Sequence, residues 1–194
     1  MKKIFFLATA FCLTGIVSKA QTEKGNYLIG GTIGSIGGTF QGGGSEFNFN
    51  LSPKAAWFVQ DRLAIGGQVG LGLRSIKDGG TTVSYSIGPL ARYYFTKSEV
   101  GELVKKTTFF AEANAGLGGR NVSSGGGSTN GFEAGIGPGL AYFVTENVAL
   151  EALAKLNLTT GFGSSAAAFS PMIGVGFQIY LPGSKLKAVR NDVK

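Results

Sequence analysis

The strongest restriction on the fold of this chain is an alternation. Apolar side chains recur at every second position, with small or polar ones between, in eight separate segments between residues 27 and 180. Neighbouring side chains of a β-strand point to opposite faces, so each segment predicts a strand with one apolar and one polar face. The apolar sets fall at residues 27–33, 47–57, 63–73, 83–95, 109–117, 132–142, 148–158 and 169–179. The other parity carries Thr32, Asn48, Asn50, Gln68, Ser84, Ser86, Asn114 and Asn157.

The aromatics measure the height of the apolar face. Phe47 precedes Trp57 by ten residues, and the same interval separates Tyr85 from Phe95 and Phe132 from Tyr142. Ten residues at ~3.4 Å, tilted by ~40°, rise about 26 Å, close to the ~25 Å apolar band of a barrel that spans a membrane. A soluble sandwich has no reason to repeat that distance. The pattern predicts an all-β fold, an eight-stranded antiparallel up-and-down transmembrane β-barrel. Its two aromatic girdles are expected to contain Phe47, Trp57, Tyr85, Tyr93, Phe95, Phe132, Tyr142, Phe177 and Tyr180.

Composition agrees with strands in lipid. Charged residues make up 15% of the 194-residue chain, against about a quarter in a typical soluble domain. The 33 glycines suit an interior crowded by long partners. At the start, Lys2 and Lys3 precede an apolar run through Val17, and Ser18-Lys19-Ala20 places small residues before Gln21. This is the pattern of a cleavable signal peptide over residues 1–20, cut between Ala20 and Gln21. The run is shorter than the ~20 residues a membrane-crossing helix needs. Phe11 before Cys12 is not the small residue a lipoprotein signal wants. Cleavage leaves 174 residues without cysteine and lowers the net charge from +7 to +4. No basic stripe with interleaved aromatics remains, so no nucleic-acid partner is expected.

The expected division is residues 1–20 as signal, 21–180 as barrel and 181–194 as a basic periplasmic tail. Gln60-Asp61-Arg62 and Thr145-Glu146-Asn147 read as tight turns at one end. Gly/Ser-rich loops are expected at the other end, at residues 35–44, 74–81, 119–129 and 160–166. Residues 96–106 read as a short surface helix opened by the capping pair Thr96 and Glu99. An even strand count puts both termini on the side of the tight turns, the periplasm. Pro53, Pro89, Pro138 and Pro171 sit inside strands although proline cannot donate to a ladder; a bulge at each would reconcile the two, and failing that the local registers differ from those read here.

The hairpin segments Ala56-Trp57-Phe58-Val59-Gln60-Asp61-Arg62-Leu63-Ala64-Ile65 and Ala141-Tyr142-Phe143-Val144-Thr145-Glu146-Asn147-Val148-Ala149-Leu150 carry a resemblance. They are similar to hairpins of the outer-membrane β-barrel domain family of Gram-negative bacteria, the OmpA-like transmembrane or "porin family" proteins, common in Bacteroidota. The resemblance spans residues 21–180 and implies a bacterial outer-membrane location. It is nearly silent on activity. Outer-membrane lipid, lipopolysaccharide and the barrel-assembly machinery are the partners it implies, with a monomer as the expected state.

Lumen-facing parity collects Lys54, Arg92, Glu112, Glu133, Glu151 and Lys155, three cations balancing three carboxylates. An eight-stranded barrel is just wide enough for side chains to fill, so these are expected to pair in a plugged lumen. The resulting function is structural or interaction-based; the alternative is a narrow porin-like channel for ions or small solutes. A lipid-modifying enzyme ranks behind both, because the chain has no histidine to serve as a base. No catalytic residue, metal or cofactor is expected.

Overall fold

A computed structural model describes residues 20–41, 44–77, 80–95, 107–123, 128–161 and 167–184. Residues 1–19 of the expected signal segment, the helix expected over residues 96–106 and the tail from residue 185 lie outside the described residues. Eight strands form: β1 (Tyr27–Gln41), β2 (Gly44–Gln60), β3 (Leu63–Ile76), β4 (Gly80–Tyr94), β5 (Thr107–Val122), β6 (Ser128–Phe143), β7 (Val148–Gly161) and β8 (Ala167–Leu181). Each pairs antiparallel with its sequence neighbours, and β8 pairs with β1 to close the barrel. The expected fold is the observed one. Strands reach farther into the expected loops than the sequence implied: β1 runs to Gln41 and β2 resumes at Gly44.

The pairing register fixes the barrel's shape. Stepping from each residue to its paired neighbour, the path Leu181, Tyr27, Trp57, Ile65, Ala91, Ala113, Ile136, Leu156, Pro171 circles the barrel once. It returns to β8 ten residues from its start. A stagger of ten at ~3.3 Å over eight strands spaced ~4.8 Å tilts the strands by about 40° and gives a radius of about 8 Å. An interior that narrow is filled by side chains rather than left as a pore.

The prolines correct one expectation. Pro53, Pro89 and Pro138 keep their pairs with the preceding strand, opposite Gly31, Gly67 and Ala111. Toward the following strand, two positions drop out of each ladder and pairing resumes in the same register. The missing N–H therefore costs a short gap and no bulge. Register shifts occur instead between Gly34 and Gly37 and between Phe58 and Gln60, the latter beside Arg62 at φ 70.

The residue before a proline is small because backbone comes close there. A Cβ on Gly88 would meet the Ala115 carbonyl oxygen and lie 2.5 Å from the Gly116 Cα. Gly88→Ala is expected to destabilise the barrel by about 1–3 kcal/mol, since backbone atoms must move. An unchanged urea midpoint of refolded protein would contradict this packing.

Candidate functional site

The outer wall is apolar and exposed. Phe47, Trp57, Tyr85, Tyr93, Phe95, Phe132, Tyr142 and Phe177 all face outward. Near the tight-turn end, Tyr27 stacks on Trp57 with ring centroids 6.5 Å apart, and Tyr93 meets Phe95 edge-on at 5.5 Å. Toward the other end, the Tyr85 hydroxyl donates to Asn130 Oδ1 at 2.8 Å. Tyr180 is the exception: expected in the girdle, it is 1% exposed and points into the barrel. Its parity is opposite to that of Phe177 and Ile179, which explains the correction.

Inside, three layers succeed one another. The lowest is an aromatic plug of Phe58, Tyr94, Phe110, Phe143 and Tyr180, packed with Leu28 and Leu153. Phe143 and Tyr180 lie 5.0 Å apart between centroids, Tyr94 and Phe110 5.6 Å. Sequence reasoning missed this plug. Four of its members directly follow an outward aromatic: Trp57-Phe58, Tyr93-Tyr94, Phe109-Phe110 and Tyr142-Phe143. Two successive aromatics cannot share a face, so the second of each doublet must point inward. Below the plug, Gln21 and Thr22 are buried, and the Arg62 amide donates to the Thr22 carbonyl at 2.7 Å.

Above the plug lies an ionic layer. Arg92, fully buried, donates through Nη2 and Nε to Glu112 Oε2 at 2.6 and 3.1 Å. Its Nη1 reaches both Glu151 oxygens at 2.7 and 2.9 Å and the Tyr94 hydroxyl at 3.0 Å. Lys54 Nζ donates to both oxygens of Glu112 at 2.9 and 2.8 Å, and Lys155 Nζ to its Oε1 at 3.2 Å. Tyr180 donates to Glu151 at 3.0 Å, so the 2.8 Å bond between the two tyrosine hydroxyls has Tyr94 as donor. The guanidinium of Arg92 also lies 4.0 Å above the Phe110 ring, locking the layer to the plug.

Glu133 is not part of this layer. It stands higher, where Ser86 Oγ donates to it at 3.5 Å. The expected balance of three cations and three carboxylates becomes, in the layer itself, three cations and two carboxylates. Register decides this, because height in a tilted barrel depends on the stagger as well as on face.

The third layer is a polar well of about 690 Å³, lined by Asn50, Gln68, Ser84, Ser86, Arg120, Asn130, Glu133, Lys155, Asn157, Ser170 and Met172 among others. Glycines make this room: a Cβ on Gly135 would fall 2.5 Å from Asn157 Oδ1, 2.6 Å from Asn114 Oδ1 and 2.8 Å from Lys155 Cε. The well can hold polar groups by hydrogen bonds. Among the described residues, no group of three or more metal-ligating histidine, cysteine, aspartate or glutamate side chains converges.

No protein-family model matches the chain, and no curated protein does. Solved structures do resemble it. The N-terminal β-barrel domain of Pseudomonas aeruginosa OprF has a TM-score of 0.49 at 20% identity, over 81% of this chain and 98% of that one. Ail, the attachment invasion locus protein of Yersinia pestis, has a TM-score of 0.46 at 14% identity, over 80% and 99%. Neisserial surface protein A (NspA) has a TM-score of 0.60 at 19% identity, over 80% of this chain and 97% of that one. That last likeness is one of fold: the chain has the architecture of an eight-stranded outer-membrane β-barrel.

Proposed function

We propose that this chain is an integral outer-membrane β-barrel of structural or interaction type, related to the OmpA-like barrels, with its lumen closed below a blind well. The observation that carries the reading is the stacking of a buried ionic layer on an aromatic plug inside an apolar-walled barrel. The wall supports residence in lipid. The closed lower half favours a plugged barrel over a narrow channel. Both described chain ends and the short connections at residues 61–62 and 144–147 share one end, which supports periplasmic termini. Lipid and lipopolysaccharide are the partners the wall suits, and a barrel closed on itself suits a monomer. The absence of histidine from the chain supports a role without catalysis.

A substitution on the wall tests the membrane half of the proposal. Ile136, 64% exposed near mid-wall, lies between Phe132 and Tyr142 on β6. In lipid, Ile136→Arg costs about 2–4 kcal/mol. On a soluble protein, a surface change of this kind stays within about 0.5 kcal/mol. Folding yield into vesicles should therefore fall steeply, with the loss read as failure of heat-modifiable migration. Equal yields for the variant and the parent would sink the membrane assignment.

A further inference from the structure

The closing ladder is the shortest. β1 and β8 make eight pairs, from Tyr27↔Leu181 to Gly34↔Gly174, whereas the other seven ladders contain eleven to fifteen. β1 continues to Gln41 and β8 begins at Ala167, yet among the described residues no pair joins them above Gly34 and Gly174. Pro171 stands on this stretch of β8. It keeps its pair with Leu156 of β7, as the other strand prolines keep theirs with the preceding strand. Its missing N–H therefore falls on the β1 side. In the other three cases pairing resumes beyond the gap; here it does not.

Two independent features flank the unpaired seam. On the outside, Ile173 is the most exposed large apolar side chain among the described residues, at 78%, with Phe169 and Val175 beside it. On the inside, Ser170 and Met172 of the same strand segment line the polar well. Gln68, 7% exposed, also lines the well, and among the described residues its Oε1 has no hydrogen-bond partner; Asn114 Oδ1, equally without one, lies buried near Asn157 beside Gly135. Buried acceptors of this kind call for a donor. Unpaired strand edges facing lipid are costly unless something covers them.

We propose that the β1–β8 seam above Gly34 and Gly174 is a lateral portal, and that the well takes the head of a single-chain amphiphile whose chain leaves through it. The head donates a hydrogen bond to Gln68, and an anionic group on it faces Lys155. The chain lies against Phe169, Ile173 and Val175. This rests on the reading that the outer wall lies in lipid.

Palmitoyl lysophosphatidylethanolamine, which carries ammonium, phosphate and one chain, is the probe. Refolded protein is first floated with vesicles; failure to float overturns the membrane reading and the portal together. Native mass spectrometry of the floated protein, released into detergent, is then expected to retain one probe molecule per barrel. Gln68→Leu should weaken retention at least tenfold by removing an acceptor. Pro171→Val, which supplies the missing N–H, should extend the ladder, protect β8 amides from hydrogen exchange and also weaken retention at least tenfold. Retention unchanged in both variants would overturn the portal in a protein that floats. Equal retention of glycerophosphoethanolamine, the head without a chain, would overturn it as well. So would equal retention of palmitic acid, the chain without the donor head.

Discussion

Replacing Glu112 by leucine is expected to lower the stability of the folded barrel by about 3–5 kcal/mol, the cost of breaking a buried ion pair from one side. Glu112 is fully buried and accepts from Lys54, Arg92 and Lys155 together. Its removal leaves three buried cations facing Glu151 alone. Equilibrium unfolding in urea, followed by gel migration of samples in lipid, measures the loss. Glu133→Gln is the control: Glu133 stands in the well against Ser86, and its change should stay within about 1 kcal/mol. Equal effects of the two substitutions would show that the ionic layer does not hold the lumen together.

The second large effect concerns conductance. Parent protein in a planar bilayer should pass no steady current, because the ionic layer rests on a plug of tightly packed rings. Truncating Tyr94 and Phe110 together to alanine removes the rings that flank Arg92 and takes away the phenol that bridges it to Tyr180. The ionic layer is then wetted from both sides, and steady currents are expected. Each truncation also costs about 3–5 kcal/mol, so the variant is tested only where heat-modifiable migration shows it folded. Steady current through the parent would refute the closed lumen. A silent double variant would place the barrier in the ionic layer or the remaining rings of Phe58, Phe143 and Tyr180.

Much of this architecture could be read from residues alone because the strand period is two. Outward Phe47, Trp57, Tyr85 and Phe132 and inward Lys54, Arg92, Glu112, Glu151 and Lys155 follow from parity. At Tyr180 aromatic character suggests the girdle and parity the lumen, and parity decides. Parity places Glu133 on the lumen face but says nothing of its height, because height needs the stagger of ten residues, which no local pattern encodes. The proline gaps were also hidden. Whether a missing N–H produces a bulge or a gap depends on what the neighbouring strand offers, and that depends on register. The plug was the most recoverable omission, written in the aromatic doublets.

The order of pairing carries a kinetic consequence. Seven of the eight ladders join strands adjacent in sequence, so they can form as hairpins between nearby segments. Only β1–β8 brings together distant parts of the chain, Tyr27 with Leu181, and it must bear the loop-closure entropy of nearly the whole barrel. With eight pairs to offset that entropy, this ladder should be the last to zip and the first to fray. The rate of barrel closure would then be set at one line down its side, while the rest of the sheet assembles quickly as a curved open ribbon.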